Sequence, residues 1–442
     1  MKDLSYNLKS PKNLDNAYEN FLNNYNRLIS HRKKNKIKSN FEDFVVEEIT
    51  NDGTILELDK IFHFENKNSP TNQDYLYFIL QKKNWETTSA LKALAKKLKV
   101  SYKRFSFAGT KDRKAITTQL CSIYKIQKEE LLKAASNLKD IKINGCYYSS
   151  KKLELGELLG NRFKIKLEYN YDFNLDQLSL FSNFKIFPNF FGEQRFGNRY
   201  NSHIVGKLII QNKLKEAILE FLCGNPIDNI EDAKFARIRL LEEQDFKKAL
   251  QYFPKYLKHE RRILDFLAKN QRDYTNALRK LPRQMLLMFV HSYQAYLFNE
   301  ILHKRIEQFI KDKQIFLCEN EYFANFDEHY FPIIEKKSND NNTNGIPIMQ
   351  ILGYETKTLN DYEKEVLDRE CIKLDYFKVK HFPELNSKGN LRPMLIYTND
   401  FTYEEKNLLL QFSLYKGCYA TTLLNFLYDI NSEFFSTYFK KV

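Results

Sequence analysis

The stretch FAGTKDRKAITTQ, residues 107–119, joins an apolar segment to a glycine and then sets one carboxylate, Asp112, among cations. Phe105–Phe107 predicts a strand that ends at the glycine, and Ile116–Tyr124 predicts the next strand. Asp112 therefore lies on a loop between two strands.

The cations beside Asp112 suggest a chemistry for this loop. Lys111 and Arg113 flank it, and nearby positive charge favours the ionised carboxylate and lowers its pKa. An ionised carboxylate can attack an electrophilic carbon. The unperturbed aspartate pKa of about 3.9 already leaves the group ionised at neutral pH. Taken alone, the stretch also fits an ordinary polar turn in which Asp112 caps a neighbouring group, and that is the simpler interpretation.

A second unusual segment is PNFFGEQRFG, residues 188–197, in which three aromatics alternate with Asn, Gln, Arg and two glycines. Aromatic faces stack on bases, amides read base edges, and arginine binds phosphate. A core strand with a turn at each glycine explains the phenylalanines equally well but the polar set less well. Both interpretations remain open.

A third segment, FSLYKGCYATT at 412–422, places Lys416 and Gly417 between a predicted strand, 408–414, and a predicted helix, 421–430. A helix N-terminus offers free N–H groups to a phosphate or carboxylate. Taken alone, this segment favours an ordinary strand–helix junction.

Apolar periodicity predicts the other elements. Helices are expected at 86–99 (with Thr87 or Thr88 as the cap), 213–222, 243–252 and 284–312, and strands at 43–49, 74–80 and 162–168, the last with a basic outer face. We expect the final strand to return to the first domain's sheet, so that the helical middle of the chain is an insertion.

The composition describes a globular, basic protein. A length of 442 residues predicts two or three domains, and 15% aromatic residues exclude a disordered chain. The net charge of +14 attracts polyanions, with nucleic acid first among them. A genome rich in A and T would raise the lysine count as well, so the charge alone leaves nucleic-acid binding open.

The cysteine and histidine patterns predict neither a disulfide framework nor a metal-binding site. The six cysteines form no CxxC pair and the eight histidines no HxxxH or HxH pair. The N-terminus lacks the apolar core of a signal peptide, and no stretch approaches about 18 uninterrupted apolar residues. We expect a cytoplasmic monomer with reduced thiols, bound to no membrane and no metal.

The three segments, in this order and preceded by Lys38 and Phe44-Val45-Val46-Glu47, resemble the signatures of the TruD family of tRNA pseudouridine synthases. The pattern FAGxKDxxAxTxQ matches residues 107–119, NxFGxQRFG matches 189–197, and Gly-x-[Phe/Tyr]-Ala-Thr matches 417–421. The resemblance covers most of 38–430 and is weakest at 225–280 and 313–390. Asn425-Phe426 departs from it, because many members carry Arg-Glu there.

The resemblance implies an α+β fold, in which a pseudouridine-synthase catalytic domain with a mixed, largely antiparallel sheet contains an inserted α/β domain, the TRUD domain. It implies a division at 1–214, 215–395 and 396–442. It also implies that the protein converts uridine to pseudouridine at position 13 of the D arm of tRNA, with no cofactor and no metal.

By matching position, the resemblance assigns Asp112 as the catalytic aspartate and Phe191 as the aromatic that stacks on the target base. It places Asn189 beside Phe191 in the pocket. It assigns Lys38 and Phe44 to the wall of the active site, and Tyr419 to a position near the pocket. The candidates for phosphate contacts are Arg113, Arg195, Lys92, Lys96 and Lys97.

The implied reaction breaks the bond from C1′ to N1, turns the uracil and joins C1′ to C5. The uridine must be flipped out at a cost of a few kcal/mol, and stacking on Phe191, worth about 1–3 kcal/mol, offsets much of it. Asp112 attacks the base, or attacks or stabilises C1′; the sequence leaves these open.

Two alternatives come from other classes of protein. A non-catalytic RNA-binding or RNA-chaperone protein needs the charge and the aromatics but no Asp112. A carboxylate-dependent hydrolase of nucleosides or glycosides needs a second carboxylate, for which Glu193 is the nearest candidate.

Overall fold

The computed structural model describes residues 14–37, 40–64, 74–168, 175–225, 230–334, 345–398, 400–430 and 438–439. Its helices are Leu14–Ser30 (α1), Thr87–Leu98 (α2), Lys128–Ser136 (α3), Leu175–Phe184 (α4), Ser202–Ile210 (α5), Leu214–Cys223 (α6), Glu231–Glu243 (α7), Phe246–Tyr252 (α8), Lys258–Lys269 (α9), Tyr274–Leu278 (α10), Arg283–Asp312 (α11), Asp361–Glu370 (α12) and Ala420–Leu427 (α13). Its strands are Phe44–Ile49 (β1), Tyr75–Lys83 (β2), Phe105–Phe107 (β3), Ile116–Tyr124 (β4), Ile141–Ser149 (β5), Gly160–Lys166 (β6), Ile186–Pro188 (β7), Tyr322–Ala324 (β8), Ile346–Ile351 (β9), Asn390–Pro393 (β10), Leu395–Tyr397 (β11), Thr402–Glu404 (β12) and Leu409–Tyr415 (β13).

The largest sheet has the strand order β12-β13-β6-β1-β4-β2-β5, with β3 paired to β4 beside this path. The β1–β4 pair is parallel, and the others are antiparallel. The α+β class with a mixed, largely antiparallel sheet is thus confirmed. The expected return of the last strand is confirmed too, because β13 pairs with β6 from Leu409 opposite Lys166 to Tyr415 opposite Gly160.

One edge of β4 is shared by two strands. Residues 116–118 pair with β1, and residues 121–123 pair with β3. The backbone ladder is therefore interrupted at residues 119 and 120. The loop from β3 to β4, which carries Asp112, leaves the sheet beside this interruption.

Alternating side chains cover the two faces of the sheet. Leu76, Phe78 and Leu80 of β2 are buried in one cluster with Leu91 of α2 and Leu131 of α3. Tyr77 and Ile79 of the same strand belong to a second cluster on the opposite face. This period of two is what a strand buried on both faces requires.

Two predicted helix starts are wrong. The cap of α2 is the Glu86 carboxylate, which accepts hydrogen bonds from the backbone N–H groups of Thr88 and Ser89; a negative group also suits the positive end of the helix dipole. The helix expected at 243–252 is divided, because Gln244 adopts a left-handed conformation after α7 and Asp245 caps α8.

The predicted strand at 162–168 runs over Gly160–Lys166, and its basic face is partly neutralised. Arg162 is buried, and its Nε lies 2.6 Å from Glu47 Oε2. Lys164 Nζ lies 3.1 Å from the other oxygen of Glu47. Glu47 thus pairs with two cations of the neighbouring strand.

The middle of the chain is mostly helical and shares one apolar core with α1, α4 and α13. Its strands β8, β9 and β10 form a small sheet, and β11 pairs with β7. The predicted division at residues 214 and 395 stays a prediction. Within the described ranges, no helix is both long and apolar enough to cross a membrane.

The 30-residue helix α11 crosses α5 at very short distance, which Gly206 permits. A Cβ atom at Gly206 would lie 2.0 Å from the carbonyl oxygen of Phe289. Backbone atoms cannot yield as a flexible side chain would, so the helices would have to separate.

We expect Gly206→Ala to lower the free energy of unfolding by about 2 kcal/mol through overpacking. Urea denaturation followed by circular dichroism measures this. Ile204→Ala, at an exposed position of the same helix, is the control and should cost less than half as much. Equal stability of Gly206→Ala and the unsubstituted protein would contradict the close packing of α5 on α11.

Candidate active site

The turn that carries Asp112 is held by side chains where the strand ladder is interrupted. The buried Glu48 carboxylate accepts a hydrogen bond from the Leu120 N–H at 2.9 Å. Its second oxygen forms an ion pair with Lys111, whose side chain is 4% exposed. Glu48 thus replaces the missing strand partner of β4 and ties the turn to β1.

A second set of hydrogen bonds fixes the backbone of this turn. The Lys111 N–H donates to Thr87 Oγ1 at 3.0 Å, and that hydroxyl donates to Gln119 Oε1 at 2.8 Å. The Gln119 amide then donates to the Gly109 carbonyl at 2.9 Å. Buried polar groups need such partners, so the turn has one well-defined conformation.

Asp112 lies at the outer end of this anchored turn. Water reaches its side chain, which is exposed, while protein surrounds it on the other sides. This burial raises the pKa of the carboxyl group above its ordinary value, although Lys82 and Lys111 act to lower it. The prediction that neighbouring cations lower the pKa is therefore wrong in its net direction, because desolvation is the larger effect.

Arg113 is exposed and lines a cavity of about 490 Å³ next to the Asp112 turn, together with Lys83, Trp85, Lys139 and others. Glu86 and Asp140 also border it. The surface beside Asp112 therefore combines cations with an aromatic ring, which suits a nucleic-acid backbone and its bases.

Phe191 is the centre of an aromatic cluster, and its side chain is 5% exposed. The guanidinium carbon of Arg392 lies 4.0 Å from its ring centroid, and that of Arg195 lies 5.4 Å away. The ring of Tyr419 lies 6.3 Å from it. The structure thus brings Phe191, Arg195 and Tyr419 together in one cluster; their roles toward a substrate stay predictions.

Arg392 connects this cluster to Asn189, which is fully buried. Its Nη2 donates to Asn189 Oδ1 at 2.6 Å, its Nε to the Asn189 carbonyl at 3.2 Å, and its Nη1 to the Gly417 carbonyl at 2.8 Å. The Asn189 amide donates to the Pro393 carbonyl at 2.9 Å. Asn189 therefore orients Arg392, and Arg392 supports the Phe191 ring.

Asn299 of α11 fixes the backbone of Phe191 on both sides. Its Oδ1 accepts from the Phe191 N–H at 2.8 Å, and its Nδ2 donates to the Phe191 carbonyl at 3.1 Å. This side chain from the helical middle therefore sets the position of Phe191.

The other predicted wall residues lie at the start of β1. Phe44 packs edge-on against Phe163, with the ring centroids 6.3 Å apart. Because Val45 is opposite Ile116 in the parallel β1–β4 pair, Phe44 lies next to Ala115, at the end of the Asp112 turn. Lys38 lies outside the described residues.

The two halves of the site are connected through Gly156 and Lys416. The Gly156 N–H donates to the Ala108 carbonyl at 2.7 Å, and its own carbonyl accepts from Lys416 Nζ at 3.0 Å. No hydrogen bond, ion pair or ring contact of the described residues joins Asp112 to Phe191 directly. Of the described side chains, no group of three could hold a metal ion.

Several residues of this site were not found from the sequence, among them Glu48, Lys82, Asn299 and Arg392. Arg392 has a signal in the sequence, because it is a lone charged residue in the apolar run LRPMLIY at 391–397. Arg392 also lies beside a stretch where the family resemblance is weakest.

The mixed sheet, the carboxylate turn and the aromatic cluster define a protein of the pseudouridine-synthase class. A family model described as tRNA pseudouridine synthase D (TruD) matches residues 28–426. The chain therefore belongs to the TruD family, which confirms the resemblance seen in the sequence.

Similar proteins agree over nearly the whole length. A protein of Methanococcus vannielii named "Probable tRNA pseudouridine synthase D" is 36% identical over 403 residues, 89% of this chain and 95% of its own. A protein of the same name from Archaeoglobus fulgidus is 35% identical over 414 residues, 88% and 93% of the two chains. The crystal structure of a TruD protein from Methanosarcina mazei superposes with a TM-score of 0.68 at 31% identity, covering 90% of this chain and 94% of that one.

We expect Arg392→Lys to lower the free energy of unfolding by about 2–4 kcal/mol. Lysine keeps the charge, but it lacks the planar guanidinium with which Arg392 donates to three acceptors at once. Chemical denaturation measures the loss. Arg369→Lys is the control, since Arg369 forms a surface ion pair with Glu300, and such pairs contribute about 0–1 kcal/mol. Similar losses in the two variants would argue against Arg392 as the support of this cluster.

Proposed function

We propose that this protein isomerises a uridine in tRNA to pseudouridine, at position 13 of the D arm, with Asp112 as its catalytic carboxylate. The observation that carries the proposal is the anchored turn: a buried ion pair and a hydrogen-bonded backbone present one water-accessible carboxylate. Membership of the TruD family and the names of the relatives support the substrate.

The reaction needs a carboxylate held in place rather than one with an extreme pKa. Isomerisation breaks the C1′–N1 bond, rotates the uracil and forms a C1′–C5 bond, after which C5 loses its proton and N1 gains one. A preset position for Asp112 removes much of the entropic cost of bringing it to the reacting carbon. The raised pKa of Asp112 makes the rate fall as pH decreases, because the protonated carboxyl group is not a nucleophile.

The Phe191 cluster would hold the flipped base. Arg392 and Phe298 already cover much of the ring, so we propose that the uracil stacks on the part that stays accessible, with Arg392 as a fixed support. Tyr419 borders the same space. Stacking on an aromatic side chain is worth about 1–3 kcal/mol per base, which offsets the cost of flipping.

The surface cations would hold the tRNA backbone. Lys92, Lys96 and Lys97 are exposed on α2, and Thr87 at the start of that helix binds the Asp112 turn directly. Arg113 lies on the turn itself. Phosphate contacts of this kind make binding fall steeply with salt. The proposal includes the cytoplasm as the compartment, since all six cysteines are free and reduced thiols suit it.

We expect Asp112→Asn to abolish pseudouridine formation and to leave tRNA affinity within about two-fold, because the amide keeps the shape but loses the nucleophile. Tritium release from tRNA labelled at uridine C5 measures the reaction, and filter binding measures the affinity. Asp265→Asn, at an exposed position of α9, is the control and should match the unsubstituted protein.

Tritium release together with chromatography of the products separates the alternatives. An RNA-binding or chaperone protein releases no tritium, and a hydrolase releases free uracil instead of forming pseudouridine. An Asp112→Asn enzyme that turns over at the unsubstituted rate would end the assignment of Asp112.

We expect Phe191→Leu to lower kcat/KM by about 10- to 100-fold, the equivalent of one stacking contact, while tRNA affinity changes by less than about three-fold because phosphate contacts dominate it. Leucine keeps the apolar packing, and circular dichroism controls for the fold. Equal losses of rate and affinity would show that Phe191 serves general RNA binding.

A further inference from the structure

Lys82 is a buried cation whose hydrogen-bond partners are neutral. It lies near the end of β2 and has no exposed surface. Its ammonium donates to the carbonyls of Trp85 at 2.7 Å, Asp112 at 3.1 Å and Lys111 at 3.4 Å. Burying a charge without a carboxylate partner is unfavourable, so the buried Lys82 ammonium lowers the free energy of unfolding.

The charged and titratable groups that face Lys82 come from each element around it. Asp112 on the turn, Cys121 on β4 and Glu86 at the start of α2 favour its charge, and Lys111 opposes it. Glu86 is already bound at the helix N-terminus, and Lys111 is paired with Glu48. The Asp112 carboxylate exerts the strongest electrostatic effect on Lys82, and Lys82 likewise exerts the strongest on Asp112.

We propose that Lys82 is the positioning residue of the Asp112 turn: it binds the backbone carbonyls of Lys111 and Asp112 and supplies a positive charge that favours the ionised Asp112 carboxylate. This inference rests on the role proposed above for Asp112. It assigns the two tasks, backbone support and charge, to a single buried ammonium.

Burial shifts the pKa values of both groups. Burial lowers the pKa of Lys82 to about 8, while burial raises the pKa of Asp112 above its ordinary value. Lys82 therefore carries its charge at pH values below about 8. Removing this charge raises the pKa of Asp112 further, so the acid limb of the rate profile moves to higher pH. A residue with a purely structural role would lower the rate at every pH without moving the limb.

The test compares Lys82→Gln, which keeps an N–H donor for the carbonyls but carries no charge, with Lys82→Met, which keeps neither. Lys142→Met is the control, because it removes an exposed lysine from the adjacent strand β5. In Lys82→Gln we expect the acid limb of the pH profile of kcat/KM for tritium release to move to a pH about one unit higher. The value of kcat/KM on that limb then falls about ten-fold, and it falls less at neutral pH. Lys82→Met should lose activity at every pH as well, and Lys142→Met should follow the unsubstituted profile.

A second measurement does not depend on catalysis or on the folding of a Lys82 variant. The carboxyl carbon of Asp112, assigned in an NMR spectrum by its absence from Asp112→Asn, should titrate with a raised pKa and show a second step near pH 8, where Lys82 loses its proton. A single step, or an acid limb in Lys82→Gln that coincides with the unsubstituted one, would overturn the role of Lys82. If the unsubstituted protein forms no pseudouridine, the proposed function fails, while the NMR titration still decides the coupling of Lys82 to Asp112.

Discussion

The buried ion pair between Glu48 and Lys111 is the constraint on which the site depends. It lies where β4 changes partner from β1 to β3, and there the Glu48 carboxylate accepts the Leu120 N–H hydrogen bond that a strand neighbour would otherwise accept. Displacing the turn would leave two unpaired charges in the protein interior, at a cost of several kcal/mol. Asp112 therefore projects from a turn that cannot relax, and its position is set before any substrate arrives.

The helical middle of the chain completes the site. Arg392 of β10 supports the Phe191 ring and binds Asn189 and Gly417, and Asn299 of α11 holds the Phe191 backbone. The Phe191 segment thus lies between elements that are distant in sequence. One apolar core runs through both parts, which explains how the helical middle can hold the Phe191 segment in a fixed position.

The sequence predicted those parts of the site that lie in contiguous segments. The strand, turn and strand around Asp112 and the clustering of Phe191 with Arg195 follow from local patterns. Glu48, Lys82 and Arg392 reach the site only through the tertiary fold, so their partners are not visible in the sequence. The direction of the shift in the Asp112 pKa was predicted wrongly for the same reason. Neighbouring cations are visible in a sequence, whereas desolvation depends on burial in the folded chain. Glu86 caps α2 in place of the expected threonine, and the Thr87 hydroxyl binds the Asp112 turn.

We propose that the carboxylate of Asp112 and the Phe191 cluster act on the same flipped uridine. A crystal structure of Asp112→Asn bound to tRNA tests this most directly. We expect the target uridine to lie outside the helical stack, with its ring against Phe191 and the substituted side chain at position 112 in van der Waals contact with its C1′ or its base. A uridine still stacked in the D arm, or a flipped base held away from position 112, would contradict it.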